Sequence, residues 1–235
     1  MDLTSPMFTD ADAARAHLEA SRWATGVCCP HCGGAEKCRK LGGKSHRAGL
    51  HQCGDCRQQF TVTVGTVFER SKVPLNKWLL ATFLMGSSKK GMSAHQLHRS
   101  LGVTCKTAWF MFHRIREAMR DDAPVSFGSG GGTVEVDETF IGRNKAITPV
   151  GERKGRGSVH TNTVEGYFSV FKRGMKGIYQ HCGRQHLHRH AAEFEFRYNS
   201  RSANGVEGAE RARLIIKAAK GKRLTHRRAD ARASA

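Results

Sequence analysis

Two sets of side chains carry donor atoms at spacings that could do chemistry. Cys29-Pro30-His31-Cys32 and Cys53-Gly54-Asp55-Cys56 are two C-x2-C turns with a 20-residue interval. Each turn can set two thiolates on one ion, and the two together complete a tetrahedral site. The spacing therefore predicts Zn2+ held by Cys29, Cys32, Cys53 and Cys56. The alternative is four buried thiols without metal. Cys28 and Cys38 are spares, because only Cys29 has the right spacing to Cys32. The second set is acidic. Asp137 lies on the strand-like run Val134–Ile141, and Glu165 on the helix-like run His160–Phe168. Carboxylate oxygens are hard donors that suit Mg2+. Alone, each has a plainer reading: a solvated acid on a half-buried strand, and a capping box in Asn162-x-x-Glu165.

The interval between these acids is short. Of the 27 residues separating them only Glu138 and Glu152 are acidic, and no aspartate occurs between Asp137 and Asp230.

Several elements must position these groups. Residues 1–25 hold an amphipathic helix over 8–24, and 26–70 form the cysteine module. Within that module Gln58–Phe68 is β-branched and alternates as a hairpin would. Residues 71–122 read as helical. There Ser93 caps a short helix to Leu101, Gly102-Val103-Thr104 makes a turn, and Thr104 caps a longer helix from Cys105. That is a helix-turn-helix pattern, whose second helix would meet DNA through Lys106 and Thr107, with Arg114 further along. Ala108, Trp109, Phe112 and Ile115 read as core. An ordinary helical hairpin is the competing reading.

A glycine-rich linker over 127–132 leads to residues 133–204, with helices near 162–175 and 184–200. On the first of these, Val164, Tyr167, Phe168, Phe171 and Met175 make one apolar stripe. Glu165, Ser169, Lys172 and Lys176 make a second, polar one. Residues 205–235 read as a basic tail whose cations, Arg211, Arg213, Lys217 and Lys222 among them, reach phosphates. His181, His186, His188 and His190 sit among Arg184, Arg189 and Arg197, which favours phosphate contact or packing over metal binding.

A net charge of +19 and a pI near 10.1 favour a polyanionic partner and steeply salt-dependent binding. No run approaches 18 apolar residues, and the first residues lack the pattern of a signal peptide. The expectation is a cytoplasmic, nucleoid-associated protein with reduced thiols and no membrane partner.

Together these strings resemble a known family, the DDE-type insertion-sequence transposases with an N-terminal zinc ribbon (the ISXO-two-like group, relatives of the Merlin transposons). The resemblance is carried by Cys29–Gly33, Gln59–Glu69, Val136–Thr139, His160–Gly166, Phe171–Gly174, Phe194–Asn199 and Gly221–Thr225, in the family's order. It implies an α+β chain: a zinc ribbon, a helix-turn-helix-like module and an RNase H-like (DDE) domain.

It further implies that Asp137 and Glu165 are the first and third catalytic acids, holding Mg2+. Lys172, with Arg173 beside it, would touch the transposon end. In such enzymes two magnesium ions cleave and join DNA strands. This chain departs from that pattern. The block carrying the second aspartate is missing, as if by an internal deletion with a junction near residues 155–157. The sequence therefore predicts a truncated RNase H-like remnant, a transposase defective in catalysis, and a Glu165 helix short of a surface to pack on. The alternatives are a zinc-ribbon DNA-binding protein that competes with intact transposase, or a non-functional remnant. The implied partners are double-stranded transposon-end DNA and further copies of this chain or of intact transposase.

Overall fold

The protein is described here by a computed structural model covering residues 2–121, 136, 139 and 162–224. Asp137, the rest of its predicted strand, the linker and the Gly155–Gly157 junction lie outside the described residues.

Helix α1 spans Ala11–Arg22 and starts where the Asp10 carboxylate accepts the Ala13 N–H at 2.8 Å. It is followed by three short antiparallel strands in the order β1 (Cys38–Lys40), β2 (His51–Cys53), β3 (Gln59–Phe60). Cys38 pairs with Cys53, and His51 with Phe60. The predicted hairpin over 58–68 does not form. Its strand stops at Phe60, and residues 62–65 and 67–70 are turns. Thr66 Oγ1 donates to the Thr63 carbonyl, and Gly65 takes a φ of +71°, which ends any extended run. The alternation is real, but Val62, Val67 and Phe68 use it to enter the main core from turns.

That core is helical. Helices α2 (Leu75–Ser87), α3 (Ala94–Leu101) and α4 (Cys105–Met119) bury Trp78, Leu79, Met85, Leu97, Met111, Phe112 and Ile115. Helix α7 (Gly208–Ala218) adds Ile215 and Ile216. Gly86 of α2 faces the backbone of Ala212, and a Cβ there would lie 3.0 Å from the Ala212 nitrogen, so the two helices touch closely. Beyond α7 the chain returns to the ribbon. Val67 N–H donates to the Ala219 carbonyl, and Gly221 N–H to that of Gly65.

Residues 205–224 are therefore not a loose basic tail. Arg211 is buried, donating to the carbonyls of Gly86, Ser200 and Val206, and the Lys222 ammonium donates to those of Ala118 and Arg120. These two cations hold the fold together.

Helix α5 (Asn162–Gly174) continues into a π-helical turn, Met175–Tyr179, and α6 spans Leu187–Asn199. The apolar stripe of α5 does find a surface. Phe171 meets Phe194 edge to face at 5.0 Å, Tyr167 meets Tyr198 at 5.7 Å, and Tyr167 Oη donates to the Ala191 carbonyl. Gly174 allows this approach, since a Cβ there would lie 2.2 Å from the Phe194 ring. Helix α6 thus supplies the cover that the loss of a sheet was expected to leave missing. Among the described residues the only sheet is β1–β3, so the fold is a set of packed helices with a small antiparallel sheet.

Candidate metal centre and nucleic-acid interface

The four predicted ligands come together. Their Sγ atoms all lie within 4.8 Å of one another, with Cys29–Cys56 at 3.7 Å and Cys32–Cys53 at 3.6 Å. A tetrahedral zinc with Zn–S near 2.3 Å separates its sulfurs by about 3.8 Å, so the thiols fit that ion. The β1–β2 ladder and the second C-x2-C turn aim Cys53 at the first turn. The N–H groups of Cys56 and Asp55 hold the Cys53 thiol down at about 7, while burial and the neighbouring thiols push Cys56 up to about 12. Cys38, across the ladder from Cys53, is raised to about 11 by burial and by that neighbour's charge, and stays a spare. Behind the cluster, Trp23 packs on His51 at 5.0 Å and Phe60 at 6.0 Å, and Arg22 donates to the carbonyls of Val62 and Val64. Helix α1 is thereby fastened to the ribbon.

The two capped helices and the turn between them also form. Ser93 Oγ accepts the Gln96 N–H while Gln96 Oε1 accepts the Ser93 N–H, a full capping box. Gly102 ends α3 at a φ of +60°, and Thr104 Oγ1 accepts the Thr107 N–H to start α4. Lys106 is exposed and Thr107 half-buried at the start of α4, where a groove-entering helix would present them. Two expectations fail. Arg114 is buried, donates to the Glu69 carbonyl at 2.6 Å and lies over the Trp78 ring, so it cannot reach DNA. Trp109 is 39% exposed instead of core, with its ring against His113 and His186.

On α5 the polar stripe faces outward as predicted. Glu165, Ser169, Lys172 and Lys176, with Arg173, line a hollow of about 440 Å³ that Thr139 also lines. Thr139 is two positions after Asp137 in sequence, and its Oγ1 is buried without a partner. Among its described lining, Lys172, Arg173 and Lys176 surround the Glu165 carboxylate, a set of cations that suits a phosphate. Among the described residues, the four cysteines are the one group of three or more ligand side chains close enough to share an ion. His186 and His190 pack near Trp109, His113 and Tyr179, while His181 and His188 are exposed.

Sequence reasoning missed the buried centre that joins α4 to α6. Glu193 is 0% exposed and takes Arg116 Nε on Oε2 at 2.6 Å. Arg197 Nη2 and Tyr179 Oη reach its Oε1 at 2.7 and 2.5 Å. Burial alone would raise this carboxyl, but the guanidiniums of Arg116 and Arg197 outweigh it and hold it down at about 2. The i,i+4 pair Glu193–Arg197 was visible as a helix pair, whereas Arg116 is 77 residues distant.

Beside this centre His113 and His190 are buried with unpartnered Nδ1 atoms. Burial, reinforced by Arg116, lowers His113 to about 2 and His190 to about 3. A histidine buried neutral takes up its proton more readily when unfolded, so stability is full above about pH 6.5. It should then fall by about 1.4 kcal/mol per pH unit for each of the two as pH drops below that. Urea midpoints at pH 7 and pH 5 test this: His113→Phe should shrink the difference, and an unchanged difference would refute it.

Comparison with known proteins agrees with the geometry of the ribbon. Residues 9–59 match a family model described as a transposase zinc-ribbon domain, and residues 144–199 one described as an ISXO2-like transposase domain. Over 125 residues the chain is 36% identical to an uncharacterized protein in transposable element ISH50 of Halobacterium salinarum. That alignment covers 53% of this chain and 40% of the relative, so the chain spans less than half the relative's length. No solved structure matches. No described helix is long and apolar enough to cross a membrane.

Proposed function

We infer, from a chain related to insertion-sequence transposases through both its zinc-ribbon and its transposase-domain segments, that it binds duplex DNA at transposon ends and has lost strand transfer. The observation that carries this is the capped two-helix unit, which presents Lys106 and Thr107 from a chain of net charge +19 beside a thiol cluster shaped for zinc. Lys172 and Arg173, exposed on α5, would add phosphate contacts. In the intact family magnesium activates the attacking oxygen and stabilises the leaving one. Here Glu165 is the single described carboxylate in its hollow, and the sequence offers no second aspartate near Asp137.

The packing of α5–α7 supports a folded chain, as a competitor of intact transposase needs; the alternative is a non-functional remnant. Ile215 and Ile216 complete the core of the N-terminal helices, so the binding module is not confined to residues 71–122.

Two measurements test the reading on the full chain. Fluorescence anisotropy with a labelled transposon-end duplex should show salt-dependent binding that Lys106→Ala weakens by about 1–3 kcal/mol. Incubation of the same duplex with magnesium should give no cleavage; cleavage abolished by Asp137→Ala would overturn the loss of catalysis.

A further inference from the structure

Where the end of α2 meets α5, α6 and the start of α7, a hollow of about 270 Å³ collects four cations, Lys89, Arg197, Arg201 and Arg211, with Ser88 and Tyr198. Among the described residues it shares no lining residue with the Glu165 hollow, and no carboxylate lines it. Arg197 is the one of these four in an ion pair among the described residues, with Glu193, and that single carboxylate also serves Arg116. Arg211 is held by three carbonyls, two of them in the segment between α6 and α7. Arg201 stacks over the Tyr198 ring at 4.2 Å and donates through Nη1 to the Tyr198 carbonyl.

Those interactions fix the guanidiniums and close the last carbonyls of α2, including that of Ser88. They do not neutralise the charge. Burial and the nearby Arg197 oppose the charged form of Arg211, and Glu207 favours it. Among the described residues no ion pair engages Lys89, Arg201 or Arg211, and the Nη2 atoms of both arginines are left over. Buried charge is ordinarily paired. Guanidiniums held rigid with spare N–H groups are suited to planar, directional recognition of an oxyanion.

We propose that this hollow binds a phosphate group, supplied either by the DNA backbone or by free phosphate. The backbone alternative rests on the DNA-binding reading above; the free-phosphate alternative does not. The test uses the full chain, the double variant Lys89→Gln Arg201→Gln, and Arg201→Lys. In one arm inorganic phosphate replaces chloride at constant ionic strength and the thermal midpoint is followed. In the other, anisotropy gives the dependence of duplex affinity on salt.

A backbone phosphate predicts a log–log salt slope about 0.9 smaller in the double variant for each phosphate no longer neutralised, with Arg201→Lys in between. Free phosphate predicts a rise in midpoint that the double variant does not show, with the slope unchanged. If neither the slope nor the midpoint responds, the proposal is overturned, while normal duplex binding would leave the DNA-binding reading standing. If the chain binds no duplex yet the phosphate-dependent rise needs Lys89 and Arg201, that reading fails and the site stands. Lys89 is an exposed rim residue, so Lys89→Gln alone keeps the test open should the Arg201 variants misfold.

Discussion

Chelation of zinc, or Cys53→Ser, is expected to unfold the ribbon and release Trp23 to water. The sheet it would leave behind has strands of three, three and two residues, and its own core is little more than Cys29, Cys53 and Phe60. So small a module cannot offset its chain entropy by apolar burial. Zinc binding in comparable modules contributes about 10 kcal/mol or more, and that free energy is folding free energy. The damage should extend beyond the ribbon, because Arg22 and Trp23 tie α1 to it and Val62, Val67 and Phe68 run from it into the main core. The measurement is metal content by mass spectrometry together with tryptophan emission before and after chelator. One zinc per chain and a red shift are expected. A chelated chain with unchanged emission and thermal midpoint would show that the thiols need no metal.

Replacing Glu193 should be the most damaging single change outside the ribbon. Glu193→Ala leaves Arg116 and Arg197, 3% and 7% exposed, without their shared carboxylate. Breaking a buried pair from one side costs about 3–5 kcal/mol, a large share of the stability of a domain this size. The double change Glu193→Leu Arg116→Met should cost less than Glu193→Ala, since it removes the stranded charge together with its partner. Equal or greater loss in the double variant, read from urea midpoints, would show that the charge pairing is not what matters.

The acid response has a definite sign. A carboxyl held at about 2 contributes stability that is complete above its unfolded value near 4.5 and is lost as pH falls towards 2. That loss sets in below about pH 4.5, on top of the losses from His113 and His190, which begin near pH 6.5 and continue towards pH 2 and pH 3. Because this centre joins α4 to α6, Glu193→Ala should also weaken duplex binding through loosening of α4.

The metal centre and the two-helix unit could be read from sequence because both are local. Two C-x2-C turns need only spacing and a short ladder to converge. Ser93, Gly102 and Thr104 act on backbone groups within a few residues of themselves. The two stripes of α5 were legible for the same reason, since helical period assigns faces before any partner is known.

Most of the errors concern partners far away in sequence. Arg114 and Arg211 look like surface cations in a basic chain, yet each is turned inward to backbone carbonyls, Glu69 for one and Gly86, Ser200 and Val206 for the other. The run after Phe60 alternates like a strand but is pulled into turns by Gly65 and by its pairing with residues 219–221.

By itself, then, the sequence determined the four-cysteine cluster, the two capped helices and their turn, the outward stripe of Glu165 and Lys172, and the absence of a second aspartate near Asp137. Each depends on residue type and short spacing. Only the tertiary structure decided that α6 covers the apolar face of α5, that α7 belongs to the core, and that Glu193 joins α4 to α6. Those outcomes turn on which buried charges and apolar faces meet across tens of residues, and spacing along the chain does not encode that.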